Sequence, residues 1–67
     1  MKYMVEEYDG VGGLVHMTEA PEKEVREMVE GLGGEWRPLG GSITFWECDA
    51  AKSPPTCREL TMVWVPR

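Results

Sequence analysis

One histidine and two cysteines are the residues of this chain that could serve as a base, a nucleophile or a metal ligand. A catalytic cysteine needs an imidazole within hydrogen-bonding reach, and a structural zinc site usually needs four Cys or His ligands at short spacings. His16 lies on a short predicted strand, far in sequence from Cys48 and Cys57. We therefore predict that the chain is not an enzyme and that it binds no metal or other cofactor.

The two cysteines lie at the two ends of a proline-rich loop. If the flanking strands pair antiparallel, Cys48 and Cys57 face each other, and a disulfide would stabilise the fold by about 2 to 3 kcal/mol. No apolar run is long enough for a signal peptide or a membrane span, so we expect a cytoplasmic protein. The reducing cytoplasm favours two free thiols over the disulfide, and metal binding is the third alternative.

Twelve acidic and seven basic residues give the chain a net charge of −5, and the acidity is concentrated in its first half. Residues 1–35 hold nine acids and three bases, whereas residues 36–67 hold three acids and four bases. A negative field repels phosphate groups, which disfavours direct binding to nucleic acid or an anionic membrane and favours a basic protein surface. The alternative is that the acidity only keeps a small protein soluble.

Residues 21–32 are the one stretch whose apolar residues keep helical spacing. Their positions follow the i, i+3, i+4, i+7 pattern of an amphipathic helix with one buried stripe: Val25, Met28, Val29 and Leu32. Pro21 suits the first turn, and Gly33 is the predicted left-handed cap. A helix of this kind needs a sheet to cover its apolar stripe.

Short stretches with strand character lie on both sides of the helix, at residues 2–8, 14–17, 42–48 and 59–65. Residues 35–39 contain Pro38, which lacks a backbone donor, and are predicted to form an edge strand or a strand-like arm. The predicted fold is a single α+β domain over residues 1–67. It has one amphipathic helix on one face of a small, mostly antiparallel four- to five-stranded sheet, in the order ββαβββ.

One helix of about three turns covers only one face of such a sheet. The residues predicted to lie beneath it are Ile43, Phe45, Leu60, Met62 and Trp64. Trp46, Val63 and Val65 are left for the other face, together with either Tyr3 and Val5 or Met4 and Tyr8. Such an apolar face marks a dimer interface or a partner site, unless the N-terminal hairpin or the proline-rich loop folds across it.

Trp36 and Arg37 lie next to each other on the predicted arm, and both residue types are enriched at binding hot spots. Burial of Trp36 as a cover over the helix C-terminus is the alternative. In size, acidity and hairpin–helix–sheet layout, with no particular motif, the chain resembles the small acidic proteins that bacteriophages use to block host enzymes.

We therefore expect a non-enzymatic binding module that docks on a basic surface of a larger protein, such as one that handles nucleic acid. The predicted partner-binding residues are helix carboxylates that steer the encounter and an aromatic and cationic set that anchors it: Glu22, Glu27, Glu30, Trp36, Arg37 and Trp46. The alternative function is a homodimeric small-ligand-binding or regulatory protein, in which the leftover face pairs with itself.

Overall fold

Two antiparallel hairpins joined through one helix build the molecule, as described by a computed structural model of residues 1–67. The elements are β1 (Lys2–Asp9), β2 (Leu14–Pro21), α1 (Glu22–Gly31), β3 (Gly41–Asp49) and β4 (Thr56–Pro66). The strands form one sheet in the order β2-β1-β4-β3, in which every pair of neighbours is antiparallel. The predicted α+β fold is confirmed, with four strands. Residues 35–39 do not form a fifth strand and cross the molecule as an arm.

The first hairpin is longer than its sequence pattern predicts. Its turn is held by Asp9, whose Oδ1 accepts hydrogen bonds from the backbone N–H groups of Val11 and Gly13 at 3.0 and 2.7 Å. β2 was expected to end at residue 17, but it continues to Pro21 because its second half pairs with the start of β1 and Ala20 is buried opposite Tyr3. The helix therefore begins immediately where the strand ends.

Helix α1 is short, amphipathic and closed by glycine. Pro21 occupies its N-cap in an extended conformation, and Val25 and Val29 are its buried residues. Gly33 adopts a positive φ of 80°, and the following Gly34 donates its N–H to the carbonyl of Val29 at 2.9 Å. Gly33 donates its own N–H to the carbonyl of Glu30 at 3.0 Å, which completes a Schellman cap, so the predicted left-handed glycine cap is confirmed. The helix is too short and too polar to cross a membrane.

The core lies between the helix and the two central strands. Leu60, Met62 and Trp64 of β4 are buried there as predicted, and Ile43 and Phe45 of β3 are partly buried beside them. Only eight residues of the chain are fully buried. Because a buried aliphatic or aromatic side chain contributes about 1.5 to 3 kcal/mol, a core of this size leaves little surplus over the entropy cost of folding.

The arm between α1 and β3 completes this core. Trp36 stacks on Trp64 with ring centroids 6.1 Å apart and meets the edge of Tyr3 at 5.3 Å. The arm's carbonyls accept hydrogen bonds from both buried rings: Trp64 Nε1 donates to Arg37 and the Tyr3 hydroxyl donates to Pro38, each at 2.8 Å. Trp36 is thus partly buried against the core, and it covers Trp64 and not the helix C-terminus, which was the alternative.

Burial of Tyr3 has an electrostatic consequence. The phenol is removed from solvent and lies in the field of Glu22, and these two effects, burial first, raise the pKa of Tyr3 above its ordinary value of 10.0. The neutral hydroxyl is therefore kept as a hydrogen-bond donor to the arm over a wide range of pH.

Candidate partner-binding site

The sheet face opposite the helix is uncovered, and we call it the open face. Its apolar residues are Met4, Tyr8, Leu14, Met17, Trp46, Val63 and Val65. Trp46 is 66% exposed and Val65 48%, so neither the N-terminal hairpin nor the proline-rich loop folds across them. Val63 and Val65 of β4 lie on this face and are not fully buried, since one helix covers one face only.

Cys48 and Cys57 face each other across β3 and β4 and are joined in a disulfide. The expectation of two free thiols is therefore wrong. The antiparallel register brings their Cα atoms to 4.0 Å, which local sequence could not establish. His16 lies on β2, at the opposite edge of the sheet from β3, so no Cys–His pair forms. No group of three His, Cys, Asp or Glu side chains is placed to hold a metal ion.

The negative charge of the chain is mostly not neutralised by ion pairs. The five ion pairs involve four of the twelve carboxylates and five of the seven cationic side chains. Eight carboxylates are left without an ion pair, against Lys23 and Lys52 alone among the cations. A positively charged partner could therefore bind these carboxylates without first breaking an internal ion pair.

The helix carboxylates of the predicted site do not share one flank. Successive helical residues are about 100° apart, which places Glu27 about 60° from Glu30 and about 140° from Glu22 around the helix axis. Glu30 is also paired with Arg26 at 3.3 Å, whereas Glu27 has no ion pair. Of the three predicted carboxylates, Glu27 is the one at a concave surface.

That concave surface is a groove of about 480 Å³ between the end of α1 and the sheet. Its surface is mostly apolar, from side chains of the helix and of the two strands beneath it. It is lined by Glu7, Glu27, Met28, Gly31, Leu32, Phe45, Trp46, Glu47 and Met62. The groove exists because α1 ends before it reaches the far end of β3 and β4, so Phe45 stays partly exposed.

Three carboxylates surround this apolar groove. Glu7 and Glu27 have no ion pair, and Glu47 is paired with Arg58 at 3.7 Å with both side chains more than half exposed. An exposed pair of this length is weak, worth about 0 to 1 kcal/mol. The groove thus combines an apolar floor with a negative rim, which suits a ligand with an aliphatic stem and a cationic end.

The other predicted binding residues are divided between the core and the surface. Trp36 is packed on Trp64, so it is not an exposed anchor. The Arg37 side chain is exposed 3.9 Å from Glu35. Trp46 is exposed on the edge strand β3 and also lines the groove at the sheet edge.

Sequence reasoning missed Glu7 and Glu47, which both line the groove. The alternation of the strands gave a signal that could have found them. Glu7 continues the core-facing positions of Tyr3 and Val5, and Glu47 those of Ile43 and Phe45. A carboxylate at a core-facing position beyond the helix end is expected at the rim of an uncovered cleft.

Comparisons with protein-family models, with curated protein sequences and with solved structures find no match to this chain. The geometry and charges of the chain itself therefore carry the functional inference.

Proposed function

We propose that this protein is a non-enzymatic binding module that docks its helix side on a basic surface of a larger protein. The observation that carries the proposal is the set of carboxylates without ion pairs on that side of the molecule: Glu7, Glu22, Glu24 and Glu27. Lys23 is the one cation of the helix without a partner. A surface of one sign raises the association rate with a partner of the opposite sign.

The same field selects the class of partner. A net charge of −5 repels the phosphates of nucleic acids, whereas proteins that bind nucleic acids present lysine and arginine surfaces of the required sign. Occupying such a surface would block access of the nucleic acid, which is how a small acidic protein could inhibit a larger one. Such a partner would place the chain in the cytoplasm, where the Cys48–Cys57 disulfide would face a reducing environment.

The test is affinity capture from a lysate of the organism that encodes the chain, after nuclease treatment and at two salt concentrations. We expect a protein that is retained at low salt, released at high salt and unaffected by the nuclease. A Glu24→Lys, Glu27→Lys bait should lose it. The control bait, Glu35→Lys with Glu59→Lys, has the same net charge but changes residues off the helix and should keep it. Equal loss with both baits would show a dependence on net charge alone and refute the proposal.

A second candidate is a homodimer that shelters a small ligand at its seam. It is favoured by the open face, where Met17, Trp46 and Val65 remain exposed on a chain with a small core. Sedimentation equilibrium between about 10 and 200 μM distinguishes the two candidates, because dimerisation depends on protein concentration. A molecular mass that stays at 7.6 kDa over that range excludes the homodimer.

A further inference from the structure

The strand beside the groove has a free edge. β3 pairs with β4 on one side and is the last strand of the sheet on the other. No backbone hydrogen bond outside the strand pairing involves residues 41–48. Alternate N–H and C=O groups of β3 are therefore free to pair with the main chain of another extended segment.

The groove lies on the helix side of that same strand. Phe45 and Glu47 of β3 both line it, together with Glu27 of α1. An extended segment paired with β3 would direct every second side chain to the helix side, about 7 Å apart. Side chains at those positions would meet the apolar floor first and the carboxylates at its rim.

The charges decide which side chains fit. Lysine and arginine can lay their aliphatic stems on Phe45 and towards Met62 while their cationic ends reach the rim at Glu27. Glu7 lies on β1, about 14 Å from the added strand, and contributes only to the negative field of the groove. They could also displace Arg58 from Glu47, because that ion pair is exposed and weak. An acidic segment would meet three carboxylates and be repelled.

We propose that the outer edge of β3 and the adjoining groove form a docking site for an extended basic segment of a protein partner. The segment adds as a fifth strand and seats alternate lysine or arginine side chains in the groove. This inference rests on the proposed function and specifies it further, since it names the kind of segment that the basic partner presents and the strand that receives it.

The test uses a fluorescein-labelled peptide of alternating valine and lysine, seven residues long with blocked termini, titrated with the full chain and followed by anisotropy. A peptide with glutamate in place of lysine is the charge control. We expect the lysine peptide to bind with a Kd below about 1 mM, and the glutamate peptide to bind at least tenfold more weakly. Absence of binding by the lysine peptide at millimolar protein, or equal binding of the two peptides, would overturn the proposal.

Variants locate the site on the protein. Glu27→Gln and Glu47→Gln should each raise the Kd of the lysine peptide about two- to five-fold, which is the effect expected from losing one exposed charge pair. Glu30→Gln is the matched control, because it removes the same charge from a helix residue that does not line the groove and is paired with Arg26, and it should change Kd less than two-fold. An effect of Glu30→Gln as large as that of Glu27→Gln would contradict docking in the groove.

The strand pairing has its own test. Alternate amides of an extended peptide point to the same edge, so N-methylation of either the lysine or the valine amides blocks one edge only. One of the two methylated peptides should lose at least tenfold in affinity and the other should retain most of it. Unchanged binding of both would refute pairing with β3.

The two proposals fail in different ways. If the lysine peptide does not bind but capture of a basic protein still depends on Glu24 and Glu27, the docking site on β3 is refuted and the helix-side function stands. If the peptide binds as expected but no basic protein is captured, the result supports the docking site on β3 and contradicts the proposed function.

Discussion

Trp36 and Trp46 are the same residue type in opposite surroundings, and truncating each to alanine gives a sharp prediction. Trp36 is partly buried against Trp64 and Tyr3, while Trp46 is 66% exposed on β3. Replacing a fully buried tryptophan with alanine costs about 3 to 5 kcal/mol of stability. Each aromatic pair that is lost accounts for about 0.5 to 1.5 kcal/mol of that cost. Because Trp36 is only partly buried, we expect a loss of about 2 to 3 kcal/mol.

That loss is a large share of the total stability. A chain of 67 residues has a free energy of unfolding of about 3 to 10 kcal/mol by the usual value per residue. Trp46→Ala removes a side chain that contacts mostly solvent and should change the free energy of unfolding by less than about 0.5 kcal/mol. With a urea m-value of about 1 kcal/mol/M, Trp36→Ala should lower the denaturation midpoint by about 2 to 3 M.

The assay is urea denaturation of the three proteins, followed by circular dichroism, with the disulfide intact in each sample. Equal midpoint shifts for the two variants would refute the assignment of Trp36 to the core and Trp46 to the surface. A shift below about 1 M for Trp36→Ala would show that the arm contributes little to the fold. Trp46→Ala then provides a folded variant for binding measurements on the open face and the groove.

Three further predictions concern stability. Replacing Cys48 and Cys57 together by serine should lower the free energy of unfolding by about 2 to 3 kcal/mol from loss of loop closure, and equal stability of the variant and the oxidised protein would contradict this. The pKa of Tyr3 is raised in the folded protein, so the unfolded chain loses the phenolic proton at a lower pH than the folded one. The contribution of Tyr3 to the free energy of unfolding should therefore be constant below pH 10 and decrease above it. Urea titrations from pH 9 to 11.5 should show that the free energy of unfolding decreases less steeply with pH for Tyr3→Phe than for the original protein. Parallel curves for the two proteins would contradict this assignment. Gly41→Ala puts a Cβ 2.9 Å from the Trp64 ring and should cost about 1 to 3 kcal/mol, whereas Gly10→Ala, with open space around it, should cost less than 1 kcal/mol.

The two candidate surfaces of the protein lie on different sides of the sheet. The helix side carries carboxylates without ion pairs and the groove, whereas the open face carries exposed apolar side chains. Trp46 is where they meet, because β3 is an edge strand and Trp46 both belongs to the open face and lines the groove. A partner that docks at the edge of β3 could therefore contact Trp46 without covering the rest of the open face.

Much of the fold follows from local patterns. The spacing of Val25, Val29 and their neighbours predicts the helix, and the glycines after it predict the Schellman cap, because both depend on interactions within a few residues. Strand alternation predicts that Leu60, Met62 and Trp64 share one buried face. These features needed no knowledge of which strands pair.

Strand order and register depended on the whole sheet. β2 continues to Pro21 because β1 offers it partners, and the cysteines form a disulfide because the register of β3 and β4 sets Cys48 opposite Cys57. The composition and compartment argued against that bond. Only the register of the β3–β4 hairpin could decide it, since the two residues are nine positions apart and their separation in space depends on how the two strands pair.

By itself, the sequence determined the α+β class, the amphipathic helix, the acidic character of the first half and the surplus of apolar residues that one helix cannot cover, all of which follow from composition and short-range periodicity. The tertiary structure alone decided that Trp36 is packed and Trp46 exposed, and that Glu7, Glu27 and Glu47 surround one groove. Those carboxylates come from β1, α1 and β3, so their proximity is a property of how three elements pack and not of any local pattern.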